Sequence, residues 1–498
     1  MKKLFSLLIC LLILLQMVAL PAAAAQTQEP TQEPTQMPTM AVEIMNAGSD
    51  YENSMTTILN GCRTLDAQVP LGSDARMLDS AMSAFVYERN TGTLIYAYNP
   101  DLKVQPGTLT KIVAAIVAIE NGNLDDKVTV SSRNYKYLPP QAKNAKLKEG
   151  EVMTLRDLLY CMFLEWANDA AVTIAEYVCP DQESFVKKMN EWVKRAGCTN
   201  TQFSDCHGLG SENQSTTARD MTKIVEEAMK NAEFRALFTA KSYTVPATER
   251  SDARELKSLN YLIEETIVPK YNYKGATGGI AHYTETSGAS LVCTAERNGM
   301  SYTAVVMGCQ RLFNAEKSWV VERYGNYEEA WDLLNYAFQN YKICRLLHEG
   351  QSMIQFPVAG GENQVVAQTH ASKDAILPIN AKLDNLILKY AVKDGGLTAP
   401  IKKDDKIANL EVWYRTSCIA VADLYAMSSV RSLSNLKMDI QGAASRDDSN
   451  LSQFLSFVGI VCLVIMVPLA VYLIVNNMRR VMARNRRRRR RTQRRRSR

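Results

Sequence analysis

The run Pro106-Gly107-Thr108-Leu109-Thr110-Lys111-Ile112-Val113, continuing as AAIVAIENG, constrains this chain more than any other stretch. Gly107 and Thr108 are turn and cap residues. Apolar side chains then recur at helical spacing (Ile112, Ala115, Ile116, Ile119) until Asn121-Gly122 ends the pattern. The spacing predicts a buried helix entered from a tight turn. Thr108 and Lys111 are three residues apart, so a hydroxyl and an amine share one face at the helix start. Unpaired N–H groups and the positive end of the helix dipole make that place receptive to an anionic intermediate. A lysine packed there acts as a base more readily, because desolvation disfavours its charged form. Two readings stand open on these residues alone: a helix cap with a snorkelling lysine, or a hydroxyl beside its base.

At 498 residues the chain has room for two or three domains, and 46% hydrophobic content is ample for folded cores. Its net charge of +6 is segregated. Thirteen Arg between Arg479 and Arg498, with Lys2 and Lys3, leave the rest of the chain at −9. An acidic body with a basic tail is not the footprint of a nucleic-acid-binding domain, so no nucleic-acid partner is expected. Residues 1–25 join a Lys-Lys start to an apolar run and four alanines, which reads as a secretory signal. Residues 26–68 hold a Thr/Gln/Pro repeat that reads as an extended linker, then an ambiguous stretch with room for a short helix. Near the other end, Phe454–Val475 is 22 residues without a charge, the length and composition of a transmembrane helix. The Arg-rich residues 476–498 follow directly. The positive-inside rule places them in the cytoplasm as a stop-transfer signal and an anchor for acidic lipids, with the preceding domains outside.

Between these ends, residues 69–345 read as one α+β domain. SAFVYERNTGTLIYAYNP is a β-hairpin about Asn90-Thr91-Gly92. Residues 125–130 suggest a turn and strand. Thr154 with Asp157 forms a short capping box before an apolar helix. A second apolar helix runs on to Val178, and residues 183–197, 216–238 and 327–340 also look helical. Strand patterns return at Ser242–Pro246, Ser290–Ala295 and Tyr302–Val306, so the sheet is drawn from both ends of the domain. Residues 346–432 alternate strand-length runs with Gly, Asn and Asp turns, a small all-β, sandwich-like domain. Residues 433–453 read as a linker. Eleven Cys, nine of them between the leader and the apolar span, show no Cys-x-x-Cys spacing. That fits neither a disulfide framework nor a zinc site, and with four His no metal and no cofactor is expected.

Five segments carry a family resemblance: residues 90–130, 154–178 (TLRDLLYCMFLEWANDAAVTIAEYV), 203–221 (FSDCHGLGSENQSTTARDM), 233–249, and 273–299 (YKGATGGIAHYTETSGASLVCTAERNG). In this order they resemble the serine-type D-Ala-D-Ala carboxypeptidases, the low-molecular-weight penicillin-binding proteins, over roughly residues 77–345. Residues 346–430 are similar, more loosely, to the β-rich domain that follows in that family. The resemblance implies a penicillin-binding/β-lactamase-like fold and acyl transfer on peptidoglycan stem peptides. It also implies three motifs: a serine three residues before a lysine, a serine two residues before an asparagine, and a Lys-Thr-Gly strand. His207, in a His-Gly-Leu setting similar to a structural stretch of the family, is read as structural.

All three motifs are altered. Thr108 stands where the resemblance puts the nucleophile, and its extra methyl stiffens χ1. Lys111 matches the base. Trp166 replaces the second serine, while Asn168 matches. Ala276-Thr277-Gly278 aligns with Lys-Thr-Gly, so the carboxylate-binding cation is lost unless Lys274 takes its place through a shifted register. Groups that act as one unit lose activity steeply when members change. The expectation is a pseudoenzyme anchored in the cell membrane, binding peptidoglycan stem peptides or a cell-wall enzyme. The alternative is an active peptidase (hydrolase) with Thr108 as nucleophile and Lys111 as base.

Overall fold

The computed structural model describes residues 41–46, 68, 70–71, 78–131, 138–210, 213–284, 287–313, 321–392, 396–434, 457, 460 and 464–480. The expected signal at 1–25, the repeat at 26–40 and the tail from 481 onward lie outside them.

A five-stranded antiparallel sheet carries the site. Its strands are β1 (Ser83–Glu88), β2 (Thr93–Tyr98), β3 (Ala276–Thr284), β4 (Gly288–Arg297) and β5 (Met300–Cys309), in the spatial order β2-β1-β5-β4-β3. Two strands come from the early hairpin and three from late in the domain, as the α+β reading requires. All ten residues of β5 are buried, so both faces of the sheet are covered at its centre. Among the described strands, the edge strand β3 pairs with β4 alone, with His282 opposite Ser290.

Among the described residues, seven helices accompany this sheet: α1 (Thr110–Asn121), α2 (Leu155–Leu164), α3 (Asn168–Val178), α4 (Gln182–Arg195), α5 (Ala218–Ala228), α6 (Ala232–Phe238) and α7 (Gly325–Asn340). Helix α1 touches each of α2 to α6. Every residue from Thr110 to Ala118 is therefore buried, and this part of the helix has no solvent face. A helix surrounded in this way needs apolar residues all round, which AAIVAI supplies. Burying one Ile or Val of this run fully is worth about 1.5–3 kcal/mol. Helix α2 starts with the expected capping box: Thr154 accepts from the Asp157 N–H and the Asp157 carboxylate accepts from the Thr154 N–H. The helical stretch expected over 216–238 is two helices. The first ends at Ala228, and Asn231 caps the second, accepting from the N–H groups of Glu233 and Phe234.

The β-rich region contains a six-stranded sheet in the order Ala41–Asn46, Leu386–Val392, Lys406–Tyr414, Ser417–Ala426, Val365–Thr369, Ser352–Phe356. Its first strand, residues 41–46, opens the stretch read as ambiguous and pairs in parallel with Leu386–Val392, while residues 47–67 lie outside the described ones. Local pattern did not show this because the partner lies more than 300 residues away.

By compactness the chain divides into one unit of residues up to Ile354 with 366–395 and 406–427, and a second of 355–365, 396–405 and 428 onward. The first holds both sheets apart from the ends of two strands. The second is knit by the pairing of Val358–Ala359 with Leu397–Thr398 and by bridges from Gly361 to Ser432 and from Ile401 to Val430. Of the apolar run 454–475, the described part is helical from 464 and continues to 480. No described helix is long and apolar enough to cross a membrane. Residues 454–456, 458–459 and 461–463 lie outside the description.

Candidate functional site

The chain enters α1 through a single 3-10 turn, Gly107–Leu109. Gly107 has φ +52, a left-handed conformation that glycine adopts without steric cost. Neither the turn nor α1 has a side-chain cap, so Thr108 is not a capping residue. Lys111 does not snorkel either, since it is only 1% exposed.

The Lys111 ammonium donates to Asn168 Oδ1 at 2.7 Å and to the His207 carbonyl at 2.5 Å. Burial draws its pKa down to about 8, against the opposing pull of Cys206, Asp205 and Asp169. Asn168 is itself pinned. It opens α3, and its backbone N–H and its side-chain amide both donate to the Lys143 carbonyl, at 2.9 and 2.7 Å. Two residues earlier, Trp166 sits at φ +57, an uncommon conformation for a bulky residue, with the Lys143 ammonium 5.3 Å from its ring centroid. His207 contributes its carbonyl to Lys111, while its Nδ1 accepts from the Leu209 N–H within its own turn.

The remaining wall is His282, on β3. The Thr108 N–H donates to His282 Nδ1 at 3.0 Å, and the Thr108 hydroxyl lies 3.2 Å from the same nitrogen. On the other side of the ring, Nε2 is 3.0 Å from Ser287 Oγ, which is 2.6 Å from Thr284 Oγ1. A backbone N–H can only donate, so Nδ1 is the acceptor and the ring proton resides on Nε2. Burial holds the imidazole pKa down near about 3, helped by the cations of Lys111 and Arg311. The ring rests on the backbone of Gly107: a Cβ there would come within 2.0 Å of it. Gly107 in turn backs onto Gly208, where a Cβ would meet the Gly107 carbonyl oxygen at 1.8 Å. Arg311 packs beside this wall, 3.8 Å from the Tyr283 ring centroid.

The structure thus gathers Thr108, Lys111 and Asn168, with Trp166 at the same junction. It does not bring the other expected residues to them. Ala276, Thr277 and Gly278 lie at the opposite end of β3, four to six residues from His282, or about 13–20 Å along an extended strand. Thr277 Oγ1 is engaged with Thr294 Oγ1 at 2.7 Å, and Gly278 packs on Phe238. Lys274 precedes the strand, and its carbonyl accepts from Arg297 Nε. The expected third motif matched the letters Thr-Gly, whereas the strand position beside Thr108 is set by pairing with β4. His282 was missed in the sequence reading, because the register that brings it beside Thr108 is set by pairing with β4 and not by local pattern.

Acyl transfer needs a hydroxyl, a base in contact with it, and N–H donors for the developing oxyanion. Here the hydroxyl and the N–H of Thr108 both face His282, and the described hydrogen bonds of Lys111 go to Asn168 and His207. A cavity of about 420 Å³ lies elsewhere, lined by Asn90, Thr91, Thr93, Lys373, Asp374 and Cys418 among others.

Residues 73–311 match the family model "D-alanyl-D-alanine carboxypeptidase", and residues 341–432 match "Penicillin-binding protein 5, C-terminal domain". The chain belongs to the D-alanyl-D-alanine carboxypeptidase family. It is 27% identical to the D-alanyl-D-alanine carboxypeptidase DacF of Bacillus subtilis over 341 residues, 68% of this chain and 82% of that one. It is 27% identical to DacA of Haemophilus influenzae over 359 residues, 70% and 85% of the two chains. The structure of penicillin-binding protein 5 from Haemophilus influenzae matches with a TM-score of 0.58 at 25% identity, covering 72% of this chain and 100% of that one. Thr108, Lys111 and His282 all lie within the stretch that matches the D-alanyl-D-alanine carboxypeptidase model.

Proposed function

We propose that this protein is a membrane-anchored, extracytoplasmic member of the family that acts in peptidoglycan metabolism as a catalytically impaired binding or scaffold protein. The single observation that carries the reading is the divergence of the hydrogen bonds of Thr108 and Lys111. The hydroxyl faces His282 Nδ1 and the ammonium serves Asn168 and the His207 carbonyl, so hydroxyl and base do not act as one unit. The altered residues Thr108 and Trp166, and an alanine–histidine–tyrosine run at the strand position beside Thr108, support it. The ligand class is the peptidoglycan stem peptide ending in D-Ala-D-Ala, or an enzyme that works on it. The 22 uncharged residues Phe454–Val475 followed by the Arg-rich tail support an anchor with the tail in the cytoplasm.

The pKa of Lys111, near about 8, favours a second reading, because it leaves a partly neutral amine at mildly alkaline pH. Thr108 is then a working nucleophile with Lys111 as base. Labelled penicillin and a D-Ala-D-Ala pentapeptide separate the two. The first reading expects neither an adduct nor D-Ala release. An adduct on Thr108 that disappears in Thr108→Val establishes the second.

A further inference from the structure

We propose that His282 is an internal plug: its imidazole occupies the place beside the Thr108 N–H where the oxygen of an acyl ligand is received, and so closes the cleft to such ligands. The inference rests on the impaired-enzyme reading and names the residue responsible.

Three independent contacts hold the ring there. Its Nδ1 accepts from the Thr108 N–H at 3.0 Å, the donor nearest to any carbonyl that the Thr108 hydroxyl attacks. Its Nε2–H donates to Ser287 Oγ, which is tied to Thr284 by both its hydroxyl and its N–H, so the far side of the ring is anchored by its own hairpin. Its flat face lies on Gly107, the residue just before Thr108, and any side chain at that position would collide with it. The plug and its seat are therefore matched: a β-carbon at position 107 and an imidazole at position 282 exclude each other.

The same contacts argue against His282 as the base for Thr108. Nδ1, the nitrogen facing the hydroxyl, already accepts the backbone N–H. Taking a further proton would create a cation in a buried place beside Lys111 and Arg311, which the depressed pKa of the ring disfavours. The imidazole acts here as a neutral acceptor that a carbonyl must displace, and displacement exchanges three satisfied contacts for one.

With the ring removed, the Thr108 N–H at the start of α1 becomes free to hold an oxyanion. The expected step is then ordinary ester formation. The Thr108 oxygen bonds to the β-lactam carbonyl carbon, the lactam C–N bond breaks, and the hydroxyl proton passes by way of the Lys111 amine to the departing ring nitrogen. No oxidant or further reactant is required.

The test compares full-length wild type with His282→Ala and His282→Asn, using fluorescent penicillin as probe and cooperative thermal unfolding to establish folding. A folded His282→Ala chain that forms an adduct about 10²-fold faster than wild type, with the label on Thr108 and none in His282→Ala/Thr108→Val, supports the plug. A folded His282→Ala or His282→Asn chain that stays as unreactive as wild type overturns it and leaves the impaired-enzyme reading standing. Rapid labelling of wild type overturns both. Should neither variant fold, ¹⁵N NMR of the wild-type chain decides. An unprotonated His282 Nδ1 coupled to the Thr108 amide supports the plug, and a ring protonated at Nδ1 overturns it.

Discussion

The backbone nitrogen of Thr108 and Nδ1 of His282 lie 3.0 Å apart, joining residues 174 positions distant in the chain. This bond ties the start of the central helix to the edge strand of the sheet. It also commits the donor that acyl chemistry requires.

Gly107→Ala should lower the stability of the protein by about 2–4 kcal/mol, from the left-handed backbone together with the collision with His282. In a His282→Ala background the collision is gone, and only the backbone cost of about 1–2 kcal/mol should remain. A double-mutant cycle by denaturant unfolding measures the coupling. Equal costs in both backgrounds would show that the ring does not rest on Gly107.

Lys111 gives a pH signature. Its folded pKa is near about 8 against an ordinary 10.5, so between those values the unfolded chain binds a proton that the folded one lacks. The penalty for burying the charge is complete below pH 8. Stability should therefore rise with pH from 8 to 10.5, by about 3 kcal/mol at most. Lys111→Met should abolish that rise. The quantity to measure is the difference in slope between the two proteins, since tyrosines and thiols titrate nearby.

His282 gives the opposite end of the profile. With the ring held near about 3 in the folded state against 6.5 ordinarily, the unfolded chain takes up a proton as pH falls below 6.5. Its contribution to stability is intact above 6.5 and declines by about 1.4 kcal/mol per pH unit down to about 3. His282→Gln should flatten this acid limb in urea titrations between pH 4.5 and 7.5, and the wild-type ring should stay neutral by NMR at pH 5.

Thr154→Ala removes one half of the capping box at the start of α2 and should cost about 1 kcal/mol in denaturant unfolding. Penicillin labelling should not change, because the cap lies outside the Thr108 corner.

Deleting residues 454–498 should move the protein from the membrane fraction to the soluble one. A truncated chain that still sediments with membranes would remove the apolar run as the anchor.

Much of the scaffold was legible because its signals are local. The hairpin turn about Asn90–Gly92, the Thr154–Asp157 cap and the period of the 110–121 helix each depend on residues within one or two turns of chain. The break at Asn231 escaped because an apolar period continues across it, while its capping bonds are visible only in three dimensions. The strand at 41–46 escaped because its partner is hundreds of residues away.

For the site, the sequence alone determined that a hydroxyl and a lysine stand one helical turn apart at the entrance of a buried helix, with Asn168 available to meet them. What only the tertiary structure decided is what faces them. The register of β3 against β4 carries Ala276–Gly278 away and presents His282, and the left-handed Gly107 leaves room for its ring. Register is a property of paired strands and of the space a distant backbone leaves open, so no window along the chain contains it.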